Sequence, residues 1–364
     1  MLPSPVSSRR RPFRKPSYSN LGQDSWSYKI KQLSQRSRVT NLAVLILTST
    51  LLLSVFLNVK HWLQNVTPSV SLLKSIEETI SRPNEIKKLE HLIIVPGHGI
   101  WTGNEQEEIQ EESTWELEHY QSGGGAQTRI GAFVSHIRGG VHLADSDPKS
   151  LLVFSGGATR KGTPTSEAAS YFSLALTLQI LDTSPPRQGG LPTYERTTIE
   201  DYALDSFQNL LFSVARFRAF TGHYPERITV VGYGLKEARF SELHRAALRW
   251  PVDKDKWHYV GIDMDDTAAL KEAVKGERLN GYEPYTRDLY GCHGTLLEKR
   301  RLRNVHRRTH PYHISAPEIA PLFEWCPDTE PPSSRARLSS NKLTDPAIGT
   351  FTSVYNGLLP WDED

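Results

Sequence analysis

Three glycine-bearing stretches hold the residue types best suited to chemistry. They are Pro96-Gly97-His98-Gly99, Ser155-Gly156-Gly157-Ala158-Thr159-Arg160 and Gly232-Tyr233-Gly234, and each follows a short apolar run. Glycine lets a backbone turn sharply and approach a ligand with no Cβ in the way. Amide groups in such turns, with the positive end of a following helix, suit an anion. Arg129, Arg160, Lys161, Lys236 and Arg239 are available as counter-charge. His98 lies inside the first turn and reads as an acid or base. In "TPTSEAA", Ser166 suits a helix cap and Glu167 the first helical turn. The same Glu167 could instead face a cleft as a base or hydroxyl acceptor. "TIEDYALDSFQNLLF" adds Glu200, Asp201, Asp205, Ser206 and Asn209, with Glu200 and Asp201 placed to start a helix.

The expected catalytic set is therefore Glu200, His98 and Glu167. The expected ligand-binding set is Gly97, Arg129, Ser155, Gly156, Gly157, Arg160, Ser166, Asn209, Lys236 and Arg239. A plainer reading stands beside each: tight strand-to-helix connections for the glycines, a cap for Ser166 and Glu167, and a solvated helix face for Asp205 and Asn209. Three such turns at one sheet edge favour a cleft, because ligands of open parallel sheets sit outside the carboxyl ends of the strands. No Cys/His cluster has zinc spacing, so no metal site is expected. The chain has no Walker loop, no dinucleotide fingerprint and no Gly-x-Ser-x-Gly elbow.

The elements that must position these residues alternate. "HLIIVPGHGIW" opens with a strand at Leu92 to Val95, and "LLVF" at Leu151 to Phe154 is a second. Arg227 to Gly234 and Trp257 to Asp263 give a third and a fourth. Helices are expected over Arg129 to Ile137, ended by Gly139-Gly140, over Glu167 to Gln179, over Asp201 to Thr221, and in "RFSELHRAALRW". The acidic stretch Asn104 to Tyr120 reads as a surface insertion or loose helix. This alternation predicts an α/β domain, with a mainly parallel sheet covered on both faces, over residues 89–263. Residues 264–364 read as a helical and irregular appendage.

Composition bounds the rest. The 364 residues are 38% hydrophobic and 23% charged, with a net charge of +2, which argues against general nucleic-acid binding. Nine Lys or Arg against Asp24 alone make residues 1–40 a basic tail that cannot bury a core. Residues 41–59, "NLAVLILTSTLLLSVFLNV", read as one transmembrane helix. A cleaved signal peptide and a buried core helix are the alternatives. The basic flank predicts a cytosolic N-terminus and a lumenal or extracytoplasmic main domain. Residues 60–88 read as a helical stalk, with a glycosylation sequon at Asn65. Cys292 and Cys326 could pair in an oxidising compartment or remain buried thiols.

In their order, these motifs resemble the DUF218 domain of YdcF-, SanA- and ElyC-like proteins, and in particular fungal membrane-anchored members. The matching positions are Gly97, Arg129, Ala132, Ser155, Gly156, Gly157, Ser166, Glu167, Ala168, Glu200, Asp201, Ser206 and Asn209. The fungal type extends the match through Tyr290-Gly291-Cys292, Lys299-Arg300, Trp325-Cys326 and Pro360-Trp361. Lys236 stands where bacterial members tend to have histidine, Asp205 where asparagine is usual and Gln208 where glutamate is usual. The resemblance implies a Rossmann-like three-layer α/β/α fold and a small-molecule ligand. One bacterial member is described as binding S-adenosylmethionine, which makes that compound a candidate cofactor. Three functions follow as expectations: a membrane-anchored binder of an anionic or nucleotide-like molecule, a hydrolase or transferase on phosphorylated or glycan-type envelope substrates, and a membrane scaffold.

Overall fold

A computed structural model describes residues 38–65, 78–123, 126–184, 190–328 and 351–362. The chain divides into two compact units, residues 1–68 and 69–364. In the first, helix α1 (Arg38–Asn65) is one continuous helix, and its segment Asn41–Lys60 is long and apolar enough to cross a membrane. Its polar residues are absorbed locally: Thr48 donates to Val44 O at 2.9 Å and Thr50 to Ile46 O at 3.0 Å. Such back-bonding removes the cost of a hydroxyl in lipid. The basic tail up to residue 37, stalk residues 66–77, and Val66 and Thr67 of the sequon lie outside the described residues. The end of the expected stalk is not a long helix. It holds turns and the short 3-10 turn Ile86–Lys88.

The second unit is built on five parallel strands: β1 (His91–Pro96), β4 (Ser150–Ser155), β5 (Thr197–Glu200), β6 (Arg227–Gly232) and β7 (Trp257–Gly261). Their order across the sheet is β5-β4-β1-β6-β7. A separate two-strand ladder joins β2 (Ile100–Trp101) to β3 (Trp115–Glu116). Every residue of β1 and β4 is buried, as expected of strands covered on both faces. Helices α2 (Ala126–Ser146) and α3 (Glu167–Thr177) cover one face, over Ile93, Val95, Leu152 and Phe154. Helix α4 (Ser206–Thr221) covers the other, over Leu92, Ile94, Leu151 and Val153. Helix α5 begins as a π-wound segment, Arg239–His244, and continues as α over Arg245–Ala247. The α/β expectation is thus met, with three layers and one strand more than the sequence reading gave.

Four local readings are corrected. The segment before α4 is not helix: Thr197–Glu200 forms the edge strand β5, and α4 starts only at Ser206, capped by Asp205, which accepts from Gln208 N at 2.9 Å. For the acidic stretch the loose-helix alternative is corrected: it is a surface insertion folded as short 3-10 turns plus β3. The described residues from 264 onward are helical and irregular as expected, but they are no appendage. Tyr285, Tyr290, Leu296, Tyr312, Ile319 and Leu322 are buried in the same core as Leu92 and Leu210. Finally, α2 runs straight through Gly139-Gly140 to Ser146. A Cβ on Gly140 would overlap Val95 Cγ2, so this glycine lets the helix press against β1 instead of ending it.

The last correction is testable. Alanine normally favours a helix over glycine by about 1 kcal/mol. At Gly140 that gain is reversed by overpacking, which costs ~1–3 kcal/mol. Chemical denaturation should show Gly140→Ala destabilised. Gly131→Ala in the same helix, where a Cβ meets nothing within 4 Å, should be neutral or stabilised. Equal behaviour of the two variants would contradict this packing.

Candidate functional site

The turn after β1 and the turn after β4 meet beneath one carboxylate. A Cβ on Gly97 would stand 2.5 Å from Glu167 Cβ. Gly156 has φ +153°, and its Cβ would stand 2.8 Å from Glu167 Oε2. Both positions therefore need glycine for Glu167 to lie across them. Ser166 caps α3 by accepting from Ala169 N at 3.0 Å, which fixes where Glu167 emerges. Thr159 donates to Glu167 Oε1 at 2.9 Å, and Arg160 Nη2 lies 3.8 Å from the same oxygen.

The turn amides have internal acceptors. Gly97 N donates to Ser155 O, Gly156 N to Glu200 O and Gly157 N to Ala203 O, at 2.7, 2.9 and 2.7 Å. Glu167 N and Ala168 N donate back to Gly157 O and Gly156 O. At Gly97, Gly156 and Gly157 the expected cradle of free amides is thus replaced by a backbone weave, and an anion beside these three glycines is held by side chains.

Those side chains converge from several elements. Behind β6, Lys236 Nζ lies 3.4 Å from His98 Nδ1 and 5.3 Å from the Tyr233 ring centroid. Burial, and then Arg239, lower Lys236 to about 8. Burial, and then Lys236, hold His98 well below the usual imidazole range, so His98 is neutral. His98 Nδ1 then serves as acceptor, and Nε2 finds no partner among the described residues. Tyr233 stacks on the His98 ring at 5.1 Å. Arg129 donates to Gln121 O at 3.2 Å, while Gln121 Nε2 donates to His98 O at 2.9 Å. Arg239 pairs with Glu277 at 3.0 Å, on α6 (Thr267–Glu277).

The remaining residues of the expected set form a second group, on the α4 face. Glu200 ends β5 and is fully buried. Ser155 Oγ lies 2.8 Å from Glu200 Oε2 and 3.0 Å from Asn209 Oδ1. Tyr202 N and Tyr312 Oη donate to Glu200 Oε1 at 2.9 and 3.2 Å. Burial raises the Glu200 carboxyl to about 7. When protonated it donates to Ser155, which passes its own hydrogen to Asn209. Enclosed in this way, Glu200 with Ser155 and Asn209 acts on the fold, and the structure does not bring it beside Glu167.

Several site residues escaped the sequence reading. Glu118 lies 3.2 Å from Arg160 Nη1 and 3.8 Å from Arg303 Nη2. Arg303 ends α7 (Gly294–Arg303). Burial works against its charge, but Glu167, Tyr120 and Glu118 raise its pKa above the ordinary guanidinium value. Tyr120 leaves 69% of its surface open beside them. Arg308 pairs with Asp201 at 2.8 Å, and Arg300 with Asp205. His306 bonds Arg160 O at 3.0 Å. Arg300, Arg303, His306, Arg308 and Tyr312 all fall between Cys292 and Cys326, which form a disulfide. With both sulfurs bonded, the Cys292-His293-Cys326 group has no thiolate for a metal.

Comparison with known proteins adds one relative. The chain is 28% identical over 269 residues to an uncharacterized Saccharomyces cerevisiae protein, YOR238W, covering 61% of this chain and 86% of the yeast protein. No family model matches the sequence. No solved structure matches it.

The buried carboxyl makes a pH prediction. Its folded pKa of about 7 exceeds the ordinary 4.5. The folded chain therefore holds the proton more tightly than the unfolded chain. Glu200's contribution is fully present below pH 4.5 and is lost as pH rises to about 7, a cost of about 3 kcal/mol. Glu200→Gln keeps the hydrogen-bonding shape, and should match or exceed the native protein in denaturant midpoint at pH 8 while flattening the slope between pH 4.5 and 7. Glu200→Ala should lose ~2–4 kcal/mol below pH 4.5 through unpaired partners and a cavity, and that deficit should shrink as pH rises past 7, where the native carboxyl has lost its own contribution. An unchanged pH slope in Glu200→Gln would refute the buried, proton-holding carboxyl.

Proposed function

We propose that this protein is a membrane-anchored, DUF218-type binder of an anionic or nucleotide-like small molecule. The ligand sits in the cleft at the carboxyl edge of the sheet. One observation carries the reading: Arg129, Arg160, Lys236, Arg239 and Arg303, from four separate segments, gather at the carboxyl edge of the sheet, where Glu118, Glu167, Glu277 and Asp263 are the carboxylates met among the described residues. Partly buried cations in excess form a standing positive potential that an anion relieves. Lys236 shows the strain: withdrawn from water and then crowded by Arg239, it is lowered to about 8, well below a free lysine.

The donors and rings are of the right kind for such a ligand. Arg160 Nε and His98 Nε2 lack acceptors among the described residues. The exposed Tyr120 ring supplies a stacking face for a base or sugar. S-adenosylmethionine and nucleotides belong in the first ligand panel. We place the sheet domain in a lumenal or extracytoplasmic space, with the N-terminus cytosolic. The Cys292–Cys326 disulfide supports an oxidising compartment, and the basic residues before α1 support the orientation.

Calorimetric titration of the full-length protein in detergent with ATP, pyrophosphate and S-adenosylmethionine tests the reading. At least one should bind, and Lys236→Met should weaken it roughly tenfold, about 1.4 kcal/mol. Affinity should fall as pH rises through about 8, where Lys236 loses its charge, and Lys236→Met should remove that dependence. No binding by any of the three, or binding indifferent to Lys236, would refute the proposal.

A further inference from the structure

Glu118 is out of keeping with the wall it belongs to. The insertion that carries it is already secured by other contacts: Gln121 Oε1 accepts from Glu118 N at 2.7 Å, and the buried Trp115 donates from Nε1 to Ile109 O at 2.9 Å. The Glu118 side chain makes neither contact. It is 31% exposed and reaches across to two guanidiniums that come from different places. Arg160 belongs to the loop between β4 and α3. Arg303 ends α7 and is anchored by its bond to Leu204 O at 2.9 Å.

We propose that Arg160 and Arg303 form a phosphate clamp, and that Glu118 fills it as a displaceable internal counter-ion. This deepens the anion-cleft reading and rests on it. Guanidinium forks match phosphate oxygens geometrically. Arg160 Nε, buried and without an acceptor among the described residues, leaves the same guanidinium with a donor to spare. Glu167 is the wrong group to be displaced, because Thr159 holds it and it lies pinned over Gly97 and Gly156. Among the described residues Glu118, partly exposed, is held beyond the two guanidiniums only by the capping box it forms with Gln121 at the start of a 3-10 turn.

Glu118 also sets the ligand's chemistry. A tethered carboxylate competes at an effective concentration on the order of millimolar or more. A free monocarboxylate offers the arginines nothing that Glu118 lacks, and so cannot displace it. A phosphate monoester or pyrophosphate brings a second charge and a third acceptor oxygen. Lys236, close enough for Arg303 to lower its pKa, adds a third cation for that extra charge. The clamp thus selects phosphorylated molecules over carboxylates by requiring the ligand to outbid Glu118.

The test titrates full-length protein in detergent with pyrophosphate and with acetate, comparing wild type, Glu118→Gln, Arg303→Gln and Arg303→Lys. Glu298→Gln, an exposed carboxylate paired with Arg301, is the surface control. Glu118→Gln should tighten pyrophosphate roughly fivefold or more, and Glu298→Gln should leave it unchanged. Arg303→Gln should weaken it roughly tenfold, with Arg303→Lys in between, so that a mere loss of fold is recognised by its failure to grade. Acetate should stay unbound by wild type. If wild type binds pyrophosphate but Glu118→Gln does not tighten it, the counter-ion role is overturned while the cleft reading stands. If Arg303→Gln binds as wild type does, the clamp is overturned. If neither wild type nor Glu118→Gln binds pyrophosphate, while ATP or S-adenosylmethionine binds, the clamp alone fails. If nothing binds, the cleft reading fails with it.

Discussion

A fully buried carboxyl group at the end of an edge strand constrains everything around it. Glu200 has no water, so each of its oxygens must be met by protein. Ser155 at the end of β4, the Tyr202 amide before α4, and Tyr312 from beyond residue 300 meet them. Those three partners come from parts of the chain 45, 2 and 112 residues away. Satisfying one acid therefore fixes the turn after β4, the approach to α4 and the path of the C-terminal segment together. The same turn, seen from its other face, holds Gly156 beneath Glu167. The turn is fixed from both sides because the group below it cannot be left unsatisfied.

The C-terminal segment is the second half of that arrangement. It delivers Arg300 to Asp205, Arg308 to Asp201 and Arg303 to the cleft, and its aromatic residues complete the core under α4. The disulfide closes the loop that carries these arginines and Tyr312, and loop closure restricts the unfolded chain more than the folded one. The ion pairs at this seam are half-buried and pair through arginine. They specify position as much as they stabilise.

Much of the sheet was legible from the residues, because strands buried on both faces read as continuous apolar runs. β1, β4 and β6 read in this way, while β7, an edge strand with only Trp257 buried, reads from its aromatic and β-branched residues. β5 was not legible. "TTIE" is short and polar, and its neighbours Asp201 and Asp205 look like a helix start; only pairing with β4 makes it a strand. The glycine pair in α2 misled for a related reason: the sequence shows the lost propensity at Gly140 but not Val95 pressed against it. Of the site, Glu167, Arg160, His98 and Lys236 were found because they stand beside glycine turns. Glu118 and Arg303 were not, since their role arises from contacts across 42 and 185 residues, with Arg160 and with each other. The amides of the turns were misjudged because their acceptors, Glu200 O and Ala203 O, lie on another strand's extension.

The central claim is that the sheet and the residues after Asp263 are one cooperative structure with the cleft at their seam. Equilibrium unfolding of a chain ending at Asp263, set beside the full chain, tests this most directly. The account predicts that the truncated chain lacks a cooperative transition and exposes apolar surface, since Glu200, Asp201 and Asp205 lose their partners and the α4 face loses its cover. A truncated chain that unfolds cooperatively at the same denaturant midpoint as the full protein would contradict it.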